Sequence, residues 1–299
     1  MKHKGHKKVR IIDIGRSFKY NFFQSYCKML DKLETELKIR GFSNRTVENY
    51  LFHNKKFLDF TKKEPKDVNE DDAKRYIAYL MSERKLKPSS VNLALSSLKF
   101  FYNDIVKNSA LNAVKAPKLE KKLPTVLTKD EVKKLLNVIK NPKHRLLIEF
   151  MYSSGLRVSE CVSLKVDDLD FSEKMGKIRH GKGNKERYII LSDNLIQHLN
   201  EYLKNKKDSS AYIFSIKDRH ITIRQAQKVV KESAKKAGIK KRVFCHALRS
   251  TFATHLLEAG TDIRVIQELL GHSNLSTTQI YTKVSTQQLK KVKSPLDTL

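Results

Sequence analysis

Along the first third of the chain the apolar positions repeat with a helical period. From Tyr26 to Ile39 they recur every three to four residues, which predicts an amphipathic helix. A second helix is expected from Ser43, whose hydroxyl suits an N-cap, through Tyr50, Phe57, Leu58 and Phe60. A third begins at Asn69, followed by Glu70, Asp71 and Asp72, an acidic first turn that favours the positive helix end, and it ends near Arg84. A fourth follows Pro88 and carries the stripe Val91, Leu95, Leu98 and Tyr102. The pattern predicts an all-helical domain over residues 22–112, preceded by a basic extension, residues 1–21, with few core positions.

The stretch AVKAPKLEKKLP loses this period and is bracketed by prolines, so residues 113–126 read as a linker. Thr128-x-x-Glu131 is a capping box and opens a second domain, residues 127–284. A helix is expected over 142–153. Short β-type pieces follow at 164–166 and 169–171, then at 177–180 and 187–191, the last two flanking GKGNKE as a hairpin. Helices are expected again at 194–204, 222–237, 246–259, 262–270 and 276–282, with Gly260 and Gly271 where C-cap glycines belong. The last of these is read as opened by Ser276, with Gln279 in the capping-box position. Residues 285–299 form a tail in which Leu289, Val292 and Leu296 are candidate apolar anchors. The fold class expected is mainly α, in two domains, with a small β-hairpin sheet in the second.

Charge then narrows the partners. Against 32 acidic residues stand 61 Lys and Arg, a formal net charge of +29 over 299 residues. An excess spread over the whole chain calls for a polyanion, and nucleic acid is the leading partner because each neutralised phosphate releases condensed counterions. No apolar run approaches the length of a membrane span, and the N-terminus has no long apolar stretch or small-residue cleavage site, so neither a membrane partner nor a signal peptide is expected. Cys27, Cys161 and Cys245 are odd in number and far apart, which argues against a disulfide framework and suits a reducing, cytoplasmic setting.

Four segments concentrate candidate chemistry: SSGLRVSE (153–160), HGKGNKER (180–187), CHALRSTFATH (245–255) and GHSNLSTTQIY (271–281). Arg157 and Arg249 offer planar forks for phosphate oxygens. Lys182 lies in the hairpin loop. His246 and Arg249 are spaced i, i+3, so they share a helix face, and His272 follows Gly271 at a helix end. Tyr281 closes the set. A tyrosine hydroxyl attacking a phosphodiester needs cations on the phosphorane, an acceptor for its own proton and an acid for the leaving sugar oxygen. These six residues meet that need without a metal cage. Glu160 stands at i+3 from Arg157 and also suits a purely structural pair. His255 falls on the stripe of Leu248 and Phe252, away from His246 and Arg249, and is read as structural.

In this order and spacing the segments resemble the tyrosine recombinase family of phage-integrase type, and closely its Xer branch. SGLRVSE resembles the first arginine box, GKGNKER the β-hairpin lysine motif, and HALRSTFATHLLEAGTDIRVIQELLGHSNLSTTQIYTKV the second box through the tyrosine. The resemblance implies a helical core-binding domain and a mixed α/β catalytic domain forming a clamp on double-stranded DNA. By it, Arg157 and Arg249 hold the scissile phosphate and Lys182 is the general acid. His246 assists proton transfer at the tyrosine, and His272 hydrogen-bonds the phosphate. Tyr281 forms a 3′-phosphotyrosine, with Glu160 in support. It further implies no cofactor and no ATP, since the ester keeps the bond energy. It implies tetramers on two sites that exchange strands through a Holliday junction, and docking by the tail; a translocase or accessory protein is a candidate further partner that the sequence leaves open. Resolution of chromosome or plasmid dimers is the expected role. A mobile-element integrase shares the chemistry, and a catalytically idle DNA-binding regulator shares the fold. A metal-dependent nuclease built on Asp167-Asp168 or on Glu70-Asp71-Asp72 lacks matching His spacing. A thiol hydrolase using Cys245 and His246 suffers because adjacent helix residues diverge by about 100°.

Overall fold

Val91, Leu95, Leu98 and Tyr102 are all buried at 2% exposure or less, so the stripe is a core face. The structure, a computed structural model, describes residues 28–119, 123–179, 186–272 and 274–282. The basic extension 1–21, Cys27, Lys182 and the tail 285–299 with Leu289, Val292 and Leu296 lie outside the described residues. The chain divides into two compact units, Met1–Lys121 and Lys122–Leu299, and the division falls within the stretch read as a linker.

In the first unit α1 (residues 28–39), α2 (Asn44–Thr61), α3 (Glu70–Ser82) and α4 (Pro88–Phe100) enclose one apolar core. Their starts are set by side chains. The Ser43 hydroxyl accepts from the Thr46 amide, and Asn69 and Asp72 form a reciprocal capping box. Leu33, Leu37, Phe57, Leu58 and Phe101 are the large side chains at its centre. A buried polar link crosses it: the Asn54 amide donates to Ser97 Oγ at 2.8 Å and to the Tyr50 carbonyl at 2.9 Å. Helix α4 runs directly into a π-helical turn, Phe101–Val106, which Lys107 ends at φ 61°. Helical periodicity does not forecast that turn, because its wider spacing still buries Phe101 and Tyr102.

The second unit opens with α5 (Lys129–Asn137), capped by the reciprocal Thr128–Glu131 box. Helix α6 (Pro142–Ser153) is buried along Leu146, Leu147, Ile148, Phe150 and Met151, and packs against α8 (Asp193–Lys204) and α10 (Cys245–Glu258). Between them come α7 (Val158–Val162) and an antiparallel sheet in the order β1 (Leu169–Asp170), β2 (Met175–Ile178), β3 (Arg187–Ile190). Ile178 pairs with Arg187 and Met175 with Ile190, so β2 and β3 are the arms of the expected hairpin, β2 lying two residues earlier than expected. A second small hairpin, β4 (Ser215–Ile216) and β5 (Arg219–His220), precedes α9 (Ile223–Lys236). Helix α10 is central: residues Ala247 to Thr254 are all buried, and Thr251 Oγ1 accepts the Leu127 amide at 3.0 Å. Helices α11 (Ile263–Leu270) and α12 (Leu275–Gln279) close the unit. No helix among the described residues is long and apolar enough to cross a membrane.

Two local expectations change. Residues 164–166 form no strand; Lys165 makes a single bridge to Tyr212, and Val166–Asp168 is a 3-10 turn. The Asp168 carboxylate accepts from the Lys165 amide, which curls the chain instead of extending it. Helix α12 is capped by Asn274, whose side chain accepts the Ser276 amide at 2.9 Å, so it begins before Ser276. Gln279 is its last residue, and Tyr281 lies in the turn beyond it, donating its amide to the Thr278 carbonyl at 3.0 Å.

Gly155, in the turn between α6 and α7, has φ +60°, and an added Cβ would meet the Phe252 ring at 2.4 and 2.6 Å. Left-handed backbone and a packed aromatic ring both oppose a side chain there. Gly155→Ala is expected to lower stability by about 2–4 kcal/mol. Urea denaturation followed by circular dichroism checks this, and a loss under about 0.5 kcal/mol would show that the ring yields freely.

Candidate active site

The turn at Gly155 delivers Arg157 to the start of α7. Three residues on, Glu160 turns back: its Oε2 accepts the Arg157 amide and its Oε1 accepts Arg157 Nη1, both at 2.8 Å. The same carboxylate receives Arg187 from β3, Nη1 at 2.8 Å and Nη2 at 2.6 Å. Glu160 is buried, at 5% exposure. Burial alone pushes its acid up, but hydrogen bonds and charge from Arg187 and then Arg157 prevail, and its pKa lies below the ordinary glutamate value.

A second set of acceptors comes from the end of α11. Gly271, at φ +61°, turns the chain so that the His272 amide reaches the Gln267 carbonyl and the Gly271 amide reaches that of Glu268. The next three carbonyls in sequence each accept from a different arginine. Leu269 O takes Arg187 Nε at 2.9 Å, Leu270 O takes Arg249 Nη2, and Gly271 O takes Arg157 Nη2 at 3.4 Å. A helix C-terminus carries partial negative charge, so it suits cations. Arg249, from α10, is 1% exposed and also donates Nη1 to the Gly155 carbonyl at 2.6 Å. Its buried Nε has no hydrogen-bond acceptor among the described residues. Desolvation and the charge of Arg157 bring its pKa down to about 9, which leaves it cationic at neutral pH.

Tyr281 joins this ground from the turn after α12. It is 3% exposed and packs with Phe252, Ala253, Leu257, Ile266 and Leu270. Its ring lies nearly parallel to that of His272, at 22° and 6.4 Å between centroids. Burial raises its phenol, while the Ser250 hydroxyl and the charges of Arg249 and Arg157 pull it back down. His272 Nδ1 shares a hydrogen bond of 2.9 Å with Thr278 Oγ1. Its pKa is brought down to about 4, by desolvation first and then by Arg249 and Arg157. His246, at the first turn of α10, is lowered by desolvation and the same two arginines, although part of its ring faces solvent. Both imidazoles are therefore neutral at neutral pH, fit to accept or relay a proton.

The structure thus brings Arg157, Glu160, Arg249, His272 and Tyr281 together, with His246 one helical turn before Arg249. Lys182 lies outside the described residues, in the segment joining β2 to β3. His255 stands apart from the set: its Nδ1 meets the Tyr152 hydroxyl at 3.0 Å. Cys245 is buried with its thiol pushed up to about 11, which makes it a poor nucleophile. Asp168 is engaged by the Lys165 amide and by Arg179 Nε, and no group of three or more candidate metal ligands occurs among the described residues. Arg187 escaped the sequence reading. Its signal was parity: in RYII the buried positions are Arg187 and Ile189, so a cation sits on the inward face of a strand.

Known proteins resemble this chain over both of its units. The profile of the Phage integrase family matches residues 125–288, and that of the Phage integrase, N-terminal SAM-like domain matches residues 29–110. Tyrosine recombinase XerA of Pyrococcus horikoshii is 40% identical over 269 residues, covering 88% of this chain and 91% of its own. The crystal structure of XerA recombinase superposes with a TM-score of 0.53 at 29% identity, covering 88% of this chain and 96% of that one. The XerH site-specific recombinase bound to its difH substrate, a pre-cleavage complex, superposes with a TM-score of 0.67 at 25% identity, covering 85% and 81%.

Because His272 is at about 4 when folded and near 6.5 when unfolded, the unfolded chain takes up its proton first as pH falls. Its contribution to stability is whole above about pH 6.5 and shrinks continuously down to about pH 4. Urea midpoints at pH 7.5, 5.5 and 4.5 should fall more steeply for the native chain than for His272→Gln. Equal slopes would mean that His272 is not held neutral in the folded chain.

Proposed function

This chain belongs to the phage integrase family and is a site-specific tyrosine recombinase that cuts and rejoins DNA, and from that premise we propose that Tyr281 is its nucleophile and duplex DNA its substrate, in Xer-type resolution of chromosome or plasmid dimers. The observation that carries the site assignment is convergence. Arg157, Arg249 and the pair His272 and Tyr281 arrive from three separate segments on one patch, where the Arg249 Nε–H is buried without an acceptor among the described residues. A phosphate oxygen is an acceptor of the right charge and geometry for that donor.

The step follows from these groups. Tyr281 Oη bonds to the phosphorus, and the bond from phosphorus to the 5′ oxygen breaks. The phenolic proton passes toward neutral His246, and the leaving 5′ oxygen takes a proton from Lys182. Arg157 and Arg249 meet the charge that grows on the non-bridging oxygens, and His272 donates to one of them through its second ring nitrogen. Preorganised cations in a desolvated pocket do this without reorganising during the reaction. The phosphotyrosine retains the energy of the broken ester, so a sugar hydroxyl reverses the step and rejoins the strand. The basic charge supplies sequence-independent hold on the backbone. Two bound sites in a tetramer provide the strands to exchange. The dimer-resolution role rests on the similarity to XerA and to XerD of Oceanobacillus iheyensis, the latter 33% identical over 273 residues.

The test is a nicked suicide duplex, drawn from the genome that encodes the chain and incubated with the protein in EDTA. An adduct mapping to Tyr281 is expected. Tyr281→Phe should bind the same DNA and give no adduct, and loss of binding would refute its role as nucleophile alone. Arg249→Lys and Arg249→Ala should slow cleavage by about 10²–10³-fold or more while DNA is still bound. An unchanged rate would remove Arg249 from the phosphate.

A further inference from the structure

Arg187 has the environment of a working residue and no assigned part in the reaction. Its side chain is 6% exposed. It makes a two-pronged pair to Glu160 through Nη1 and Nη2 and donates Nε to the Leu269 carbonyl. Glu160 in turn holds Arg157 by two bonds, one to the backbone amide and one to Nη1. Gly271 has no Cβ to spare here: one would lie 2.7 Å from Arg187 Cδ. The close approach of the α11 end to this guanidinium is therefore built into the chain.

We propose that Arg187 is a positioning residue for strand cleavage, fixing the Glu160 carboxylate so that Arg157 presents its free donor edge to the scissile phosphate. The inference rests on the site reading above. The physical reason is geometric. A single carboxylate held only by Arg157 can rotate about its own χ angles, and Arg157 would rotate with it. The second guanidinium, anchored on a helix end and a strand, removes that freedom. Lysine keeps the charge and cannot reproduce the fork or the simultaneous bond to Leu269 O. A displacement of the clamp by about 1 Å costs on the order of 100-fold in rate.

The experiment compares native chain, Arg187→Lys, Arg187→Met, Glu160→Gln and the double variant Glu160→Gln with Arg187→Lys. All are assayed below their melting transitions on the nicked suicide duplex that native chain cleaves. Arg187→Lys should bind DNA within about threefold of native and cleave about 10- to 100-fold more slowly. Adding it to Glu160→Gln should cost little more, because both act through one carboxylate. On a duplex whose leaving 5′ oxygen is replaced by sulfur, which departs without an acid, the defect should persist. Recovery on the sulfur substrate would instead tie Arg187 to delivery of Lys182 and overturn the proposal. So would multiplicative losses in the double variant, or an unchanged rate in Arg187→Lys. Arg187→Met serves as the check on folding: if its melting point drops while Arg187→Lys melts with native and still cleaves slowly, stability does not explain the defect. If native chain itself gives no adduct at Tyr281, the site reading fails first, and the role of Arg187 falls with it.

Discussion

Three guanidiniums are packed around the last three carbonyls in the α11 turn, and the second unit is arranged to make that tolerable. Arg157, Arg187 and Arg249 come from α7, β3 and α10 and would repel one another at this separation. The end of α11 offers a run of carbonyls that the helix itself does not use, because the Gly271 turn satisfies only those of Gln267 and Glu268. Leu269, Leu270 and Gly271 then present one acceptor to each arginine. Glu160 supplies a full negative charge and shares it between Arg157 and Arg187. Remove the left-handed turn at Gly271 and the carbonyls point elsewhere, so the cations lose their common ground.

This concentration of charge sets the protonation of its neighbours. Burial first, and then the same arginines that ease the phenol of Tyr281 downward against its own burial, keep His246 and His272 neutral. One electrostatic source therefore helps keep both imidazoles neutral, fit to accept a proton, and offsets part of the rise that burial imposes on the phenol. A second acid near Arg249 would neutralise the field that the phosphate is meant to meet.

How much of this was legible in the sequence differs by interaction range. The capping box at Thr128 is local, spanning four residues, and it forms as read; the boxes found at Asn69 and Thr222 are equally local. The helical stripes and the β2–β3 hairpin are legible for the same reason. The start of α12 was misjudged because Asn274 and Ser276 both suit a cap, and only the fold shows which amide is turned inward. The β4–β5 hairpin has strands of two residues, too short for alternation to show. The six charged or aromatic residues of the candidate site were visible through ordered motifs. Arg187 was not, since its meaning depends on Glu160, 27 positions earlier, and on Leu269, 82 positions later.

The burial of Arg249 is the feature that packing alone does not justify. A guanidinium at 1% exposure is costly to desolvate, and a buried pair is often no more stabilising than apolar side chains of the same volume. Among the described residues Arg249 pairs with no carboxylate. It is held by carbonyl oxygens, and its Nε–H finds no acceptor among the described residues. A core selected for stability would place a leucine or methionine at this buried position of α10. Partial satisfaction of a buried cation is instead what a site needs if it is to bind an anion more strongly as that anion gains charge. The same reasoning applies to Tyr281, whose ring contributes to the apolar cluster of α10 and α11 while its hydroxyl sits among cations. Stability here comes from the rings and aliphatic chains, and reactivity from the polar atoms they carry, so the two demands meet in the same residues without the same atoms having to serve both.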